Sequence, residues 1–184
     1  MTLPLPHQGE PTHIRTAALQ DASALAAVQA ASWRAAFRGL LSEAYLDGLD
    51  HEAMTKTWEE VLADAVPPRA GTLAAEQAGR LVGYARFHPT DDDDDDPERV
   101  GMIGALYTVP EVWGTGVGRS LIIAATGALR SAGFAEASLW VIAPNTRARA
   151  FYDRGGWRHD GSEVFDPDEP GQISKLRYRR SLTG

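Results

Sequence analysis

The 184-residue chain is 43% hydrophobic and 23% charged, enough apolar content at this length to bury a core without disulfides or metals. It has no cysteine, which excludes disulfides, thiolate nucleophiles and cysteine-ligated zinc and fits a reducing cytoplasm. The net charge of −7 rests on six consecutive aspartates at 91–96; the remainder carries −1, so the broad basic footprint of a nucleic-acid binder is missing.

Residues 1–13 contain Pro4, Pro6 and Pro11 and no basic n-region, which reads as a loose leader rather than a signal peptide, ahead of one domain over 14–180. No apolar run approaches the ~20 residues that span a bilayer, so no membrane partner is expected and the localisation read is cytoplasmic. Residues 14–17 read as a short first strand. Asp21 is placed as the N-cap of a helix over 22–37, with Leu25, Val28 and Ser32 or Trp33 on one side. A second helical region runs over 42–65, interrupted near Gly48, and Pro67, Pro68 and Gly71 close it.

Residues 72–76 and 81–87 read as strands joined by a tight turn over 77–80. The aspartate run between Pro89 and Pro97 reads as a solvated loop, because consecutive like charges repel and seldom converge on a metal without a spaced pattern. A strand over 100–109 follows. The helix over 117–132 carries an apolar stripe of Val117, Leu121, Ala124 or Ala125, Ala128 and Leu129 and stops at Gly133. Residues 137–142 read as a buried strand, Asn145 caps a short helix ending at Arg154, and 157–164 with 173–179 form a final antiparallel pair. This order predicts a mixed α/β sheet with strand–helix–strand crossovers in its second half.

The most informative stretch joins the strand over 100–109 to the helix that follows: Trp113-Gly114-Thr115-Gly116-Val117-Gly118-Arg119. Three alternating glycines at a helix start leave backbone N–H groups uncovered, and the helix dipole is positive there, so the segment suits an anion. A Rossmann fingerprint starting at Gly114 fails because its sixth position is Arg119, and the next strand ends in Val141 and Ile142 rather than an acid. A Walker A loop fails because Trp113 stands where its first glycine belongs. The acyl-coenzyme A pyrophosphate loop, Arg/Gln-x-x-Gly-x-Gly/Ala, fits with one departure, Trp113 at its first position.

With this loop and the downstream run Asn145-Thr146-Arg147-Ala148-Arg149-Ala150-Phe151-Tyr152-Asp153-Arg154-Gly155-Gly156-Trp157, the chain resembles the GCN5-related N-acetyltransferase (GNAT) superfamily. The resemblance implies an α/β fold with a mixed, mostly antiparallel sheet of about seven strands, four flanking helices and a V-shaped splay at the cofactor site. It also implies an acetyl-coenzyme A-dependent transfer to a primary amine of a small molecule or of a peptide or protein, without a metal. Homodimers are common in such proteins, so self-association belongs to the same expectation.

By resemblance, Leu106, Tyr107 and Thr108 supply strand-edge contacts to the pantetheine arm, and Gly114, Thr115, Gly116, Val117, Gly118 and Arg119 wrap the pyrophosphate. Asn145 contacts the cofactor arm and Tyr152 serves the departing thiolate, as a phenol can at neutral pH. Arg147 and Arg149 fall near the nucleotide phosphates by resemblance and read as solvated helix-surface residues by pattern. Trp33, Phe37, Tyr45 and Trp140, with Arg38, Leu40 and Leu41, would line the acceptor side; helix–sheet packing is their other reading. Met102 and Trp140 stand where many members carry a glutamate. The base is therefore unassigned among Glu43, Glu76, His88 and Glu163, and a non-catalytic acyl-coenzyme A-binding module or a longer acyl donor remains an alternative.

Overall fold

The computed structural model describes residues 11–165 and 173–183; residues 1–10, most of the expected leader, lie outside it. Seven strands form one sheet in the order β1-β2-β3-β4-β5-β7-β6. They are β1 (His13–Thr16), β2 (Gly71–Gln77), β3 (Arg80–Pro89), β4 (Val100–Thr108), β5 (Glu136–Ile142), β6 (Arg158–Val164) and β7 (Lys175–Ser181). The α-helices are α1 (Ala22–Ala36), α2 (Glu43–Asp47), α3 (His51–Asp64), α4 (Val117–Ser131) and α5 (Thr146–Arg154). Neighbouring strands are antiparallel except for β4 and β5, giving the mixed, mostly antiparallel sheet that was expected.

There are five α-helices among the described residues rather than four, because the second helical region divides at Gly48. Ser42 caps α2 by accepting from the Tyr45 N–H, and Asp50 caps α3 by accepting from the Ala53 N–H at 2.9 Å, so each short helix has its own start signal. Asp21 corrects the reading of α1. Its carboxylate does not cap that helix but takes the Arg15 guanidinium at 2.7 and 2.9 Å and the Ala18 N–H at 2.8 Å. A bidentate cation and a local amide occupy both oxygens, so none is left for α1.

Strand alternation sends apolar side chains to both faces of the sheet. On one face, Phe87, Ile103, Leu139 and Tyr178 pack on the α4 stripe of Val117, Leu121, Ala125 and Leu129 and on Tyr152 of α5. On the other, Tyr84 and Ala105 pack on Leu25 and Val28 of α1 and Trp58 of α3. Two irregularities position the site. The β3–β4 register shifts after Arg86, pairing Arg86 with Ala105 but Phe87 with Ile103, so Gly104 bulges out of the ladder. The parallel β4–β5 pairing has only three rungs, Val100–Glu136, Gly101–Ala137 and Met102–Ser138, beyond which the two strands part.

The β2–β3 turn holds Ala78 at φ 46° and Gly79 at φ 73°. An alanine in a left-handed position costs about 1–2 kcal/mol, part of which glycine recovers at the expense of a more flexible unfolded chain. Ala78→Gly is expected to raise the stability measured by urea unfolding by about 0.5–1 kcal/mol.

Candidate active site

Where β4 and β5 part, backbone groups that a ladder would consume stay available. The Val109 N–H donates to the Val82 carbonyl at 2.9 Å, so by alternation the amide groups of Tyr107 also face β3, and those of Leu106 and Thr108 face the gap. At the outer end of the gap the Thr108 carbonyl accepts from Ser32 Oγ at 2.8 Å and from Trp113 Nε1 at 2.9 Å. The Tyr107 amide groups thus face β3, while its ring lies on the α1 face. That ring stands 6.2 Å from Trp33, 6.4 Å from Phe37 and 5.8 Å from Tyr84, centroid to centroid.

The gap opens toward the glycine-rich loop. Gly114 and Gly116 adopt φ 79° and 99°, and a Cβ at either would meet nothing within 4 Å, so glycine is required by the backbone path rather than by crowding. Gly116 caps α4 without a side chain, and the first helical bond runs from Ser120 N–H to its carbonyl at 2.9 Å. The N–H groups of Val117, Gly118 and Arg119 therefore have no acceptor inside the helix, and the exposed Arg119 adds a positive charge to the same turn. Thr115 turns its hydroxyl back onto the Val112 carbonyl at 2.8 Å, and Gly118 lies 3.8 Å, measured from a built Cβ, from the Phe151 ring of α5. These are the donors and the close backbone approach that a pyrophosphate requires.

A contact that the sequence did not reveal closes the loop from the side. The Arg147 guanidinium of α5 stacks on Trp113 with Cζ 3.3 Å from the ring centroid. Trp113 occupies the position where the family pattern has a basic or amide residue, and α5 carries a guanidinium to that spot. No spacing rule links the two residues, so only the folded packing of α5 on the loop exposes the pair. Arg149 behaves differently: it is tied to the Ala143 carbonyl at 3.2 Å and contacts the Tyr178 hydroxyl at 3.5 Å.

Asn145 caps α5 by accepting from the Ala148 N–H at 3.1 Å, which uses its carbonyl oxygen and leaves its amide donors for other acceptors. Seven residues on, Tyr152 is buried edge-on to Phe151 and Trp157, at 5.2 and 6.1 Å, on the α4 face of the sheet. Burial, then the Tyr107 phenol, push its pKa well above the ordinary tyrosine value. Tyr107 packs on the opposite face, so the two phenols influence each other where β4 and β5 have separated. Tyr152 therefore keeps its proton at neutral pH.

On the α1 face, Trp33, Phe37 and Tyr45 come together with Tyr107: Trp33 is edge-on to Phe37 at 5.8 Å and stacked near Tyr45 at 6.5 Å. Ile142 of β5 and Ile173 close this cluster from the far side of the gap. Trp33 Nε1 is buried there with no protein acceptor, a donor suited to a polar ligand. Trp140 points to the same face two residues before Ile142, but its Nε1 is committed to Asp92 at 2.9 Å.

That bond introduces the main correction. The run at 91–96 is a solvated loop only in part: Asp91, Asp93, Asp94 and Asp96 are exposed, but three of the six aspartates are held by arginines of β7. Asp92 and Asp94 bind Arg177 at 3.2 and 2.6 Å, Asp95 binds Arg179 at 2.7 Å, and Asp160 reaches both arginines at 2.7 and 2.6 Å. Arg177 and Arg179 alternate with apolar residues on β7 and so face the side on which the loop lies, and carboxylates that repel one another in water share two guanidiniums here. Burial would raise the Asp160 pKa, but the Ser162 N–H and the two arginines hold it well below the usual carboxylate range. Asp94 is lowered too, chiefly by its hydrogen bonds to Arg177.

The sign of the pH effect follows. Groups whose folded pKa is depressed stabilise fully above their unfolded value, about 3.9 for Asp, and lose that contribution as pH falls through the folded value. The urea midpoint is expected to be level from pH 7 to about 5 and to fall below about pH 4, and Asp160→Asn should flatten that fall. Urea titrations at stepped pH read both.

Comparison with known proteins agrees with this geometry. Residues 33–157 match the model of the Acetyltransferase (GNAT) family. A Mycobacterium tuberculosis protein named "Probable N-acetyltransferase" is 31% identical over 175 residues, covering 92% of this chain and 95% of its own. The PaiA N-acetyltransferase of Thermoplasma acidophilum, solved with coenzyme A, superposes with a TM-score of 0.69 at 19% identity, covering 91% of this chain and 98% of its own. The ribosomal-protein-alanine N-acetyltransferase of Brucella melitensis superposes with a TM-score of 0.70 at 21% identity, over 92% and 99% of the two chains. The strand gap and the uncapped helix at its end are thus those of a family fold, and this chain belongs to the GNAT acetyltransferase family and is an acyltransferase.

Proposed function

We propose that the protein transfers the acetyl group of acetyl-coenzyme A to a primary amine, on a small molecule or on a peptide or protein, by direct attack of the nitrogen on the thioester. The observation that carries this reading is the continuity of one path: uncapped α4, open β4 edge, and a buried protonated Tyr152 beside the gap. The pyrophosphate takes the N–H groups of Val117, Gly118 and Arg119, with Arg119 and Arg147 supplying positive charge. The pantetheine arm pairs with the exposed edge at Leu106 and Thr108, as an added strand would, and Asn145 offers its amide donors to the same arm. N–H groups on that edge polarise the thioester carbonyl as its oxygen gains charge.

The amine attacks the carbonyl carbon from the α1 face, where Trp33, Phe37, Tyr45 and Tyr107 form an apolar wall. Collapse of the tetrahedral intermediate breaks the C–S bond, and Tyr152 donates its proton to the departing thiolate. Trp140 serves this side indirectly, as the β5 anchor of the acidic loop.

Thiol release with acetyl-coenzyme A and a panel of amines should show turnover on at least one. Clear binding with no turnover on any would favour a silent binding module. Gly116→Glu, which places a carboxylate against the anion site, is expected to weaken coenzyme A binding by about 100-fold in calorimetry, and retained affinity would reject the loop assignment. Arg147→Met should weaken it by about tenfold, with the loss shrinking as salt rises. Tyr152→Phe should lower kcat by about 100-fold while leaving coenzyme A affinity within about twofold; unchanged turnover would remove Tyr152 from the mechanism.

A further inference from the structure

An amine that arrives as an ammonium has no lone pair, so the proposed reaction needs a proton acceptor. The carboxylates named from the sequence are placed elsewhere. Glu76 is ion-paired with Arg15 at 3.0 Å at the β1–β2 end of the sheet, Glu43 pairs with Arg38 at 3.6 Å on the surface, and Glu163 lies on the outermost strand, β6.

His88 is placed differently. It is half-buried on β3, on the face that carries α1, in a cross-strand row with Met102 and Ser138. That row is the last rung before β4 and β5 part. Its Nδ1 lies 2.7 Å from the Pro89 carbonyl, which can only accept, so Nδ1 holds the ring hydrogen and Nε2 carries the lone pair. Nε2 stands over the bulged Gly104, close enough that a Cβ there would come within 2.5 Å of it. Gly104 is exposed, so the imidazole edge lies beside an opening at the closed end of the gap.

The groups around the ring keep it neutral. Burial lowers its pKa most and Arg86 of β3 lowers it further, while the Pro89 carbonyl and Asp91 of the acidic loop act in the opposite direction. Met102 and Gly104, from β4, add no charge. Neutral at pH 7, the ring can accept a proton.

We propose that His88 Nε2 takes the proton from the incoming amine at the closed end of the β4–β5 gap, a role that rests on the transferase reading above. The ammonium gives one proton to Nε2, forming the imidazolium and the free amine. The amine nitrogen bonds to the thioester carbon, and the C–S bond breaks. The second nitrogen proton replaces the one that Tyr152 gives to the thiolate, so amide and coenzyme A thiol leave neutral. The imidazolium then returns its proton to water.

Two measurements test this, one independent of the acceptor. In nitrogen NMR of the labelled protein, His88 should be the neutral Nδ1–H tautomer at pH 7, and its Nε2 signal should shift more with acetyl-coenzyme A than with coenzyme A. An imidazolium at pH 7, or no response to acetyl-coenzyme A, would overturn the proposal even if no acceptor were found. With an amine that the wild-type enzyme acetylates, His88→Gln should lower kcat by about 100-fold and remove the acidic limb of the pH–rate profile. Added imidazole should restore part of the rate to His88→Ala. Gly104→Ala, whose methyl pushes the ring aside, should lower kcat with coenzyme A affinity unchanged. Wild-type rates in both His88→Gln and Gly104→Ala would overturn the role, whereas failure of the wild type to bind acetyl-coenzyme A would instead reject the transferase reading.

Discussion

The site depends on a ladder that stops. Among the described residues β4 and β5 are the only parallel neighbours in the sheet, and their pairing ends after Met102 and Ser138. Beyond that rung β4 keeps its hydrogen bonds to β3 on one side and turns unpaired groups toward β5 on the other. A sheet ordinarily blocks traffic between its faces. Tyr152 packs with α4 and α5 on one face of the sheet and Tyr107 with α1 on the other, on either side of the strands that part. In the proposed reaction donor and acceptor would meet where the sheet itself is absent.

Three devices hold it in shape. At the outer end, Ser32 and Trp113 fasten the Thr108 carbonyl, tying α1 and the glycine loop to the tip of β4. Arg147 then stacks on Trp113 and links the same tip to α5, so the two sides of the opening share one contact. At the inner end, the bulge at Gly104 removes a side chain where the strands begin to separate and leaves His88 standing over the vacated position. Each device is a side chain reaching from one element to the backbone or ring of another, and this fixes the width of the gap without a continuous ladder.

Much of this was legible in the chain and some was not, for physical reasons. Periodicity and punctuation located the strands and helices because Gly48, Gly133 and the turn at Ala78 and Gly79 impose local geometry that does not depend on the rest of the fold. The glycine-led start of α4 was readable for the same cause: Gly114 and Gly116 are needed by the backbone path itself. Contacts between distant residues were not readable. Nothing local distinguishes Arg147 from a solvated arginine, or Asp21 as a partner of Arg15 from an ordinary helix cap. The aspartate run was partly misread because like charges do repel in solution; the cations that offset this come from β7, more than eighty residues away.

The donor and acceptor halves of the site rest on different physics. In the proposed reaction coenzyme A would meet chiefly backbone: N–H groups of α4 and the edge of β4, whose positions follow from secondary structure and tolerate wide change in sequence. The proposed acceptor would meet side chains, beside an unequal charge balance between the acidic loop and β7. Five carboxylates, Asp92, Asp94, Asp95, Asp160 and Glu136, share two guanidiniums, Arg177 and Arg179, so the cluster retains negative charge even when every partner is engaged. Asp91 and Asp93 are exposed beside it, and Asp91 already acts on His88. The field at this end of the sheet therefore favours a cation, while the His88 imidazole, kept neutral by burial and Arg86, offers that cation a lone pair. Attraction of the charged amine and removal of its proton are thus assigned to separate groups. A carboxylate base placed at the gap would have to do both, and neutralising it would weaken the field that brings the amine in.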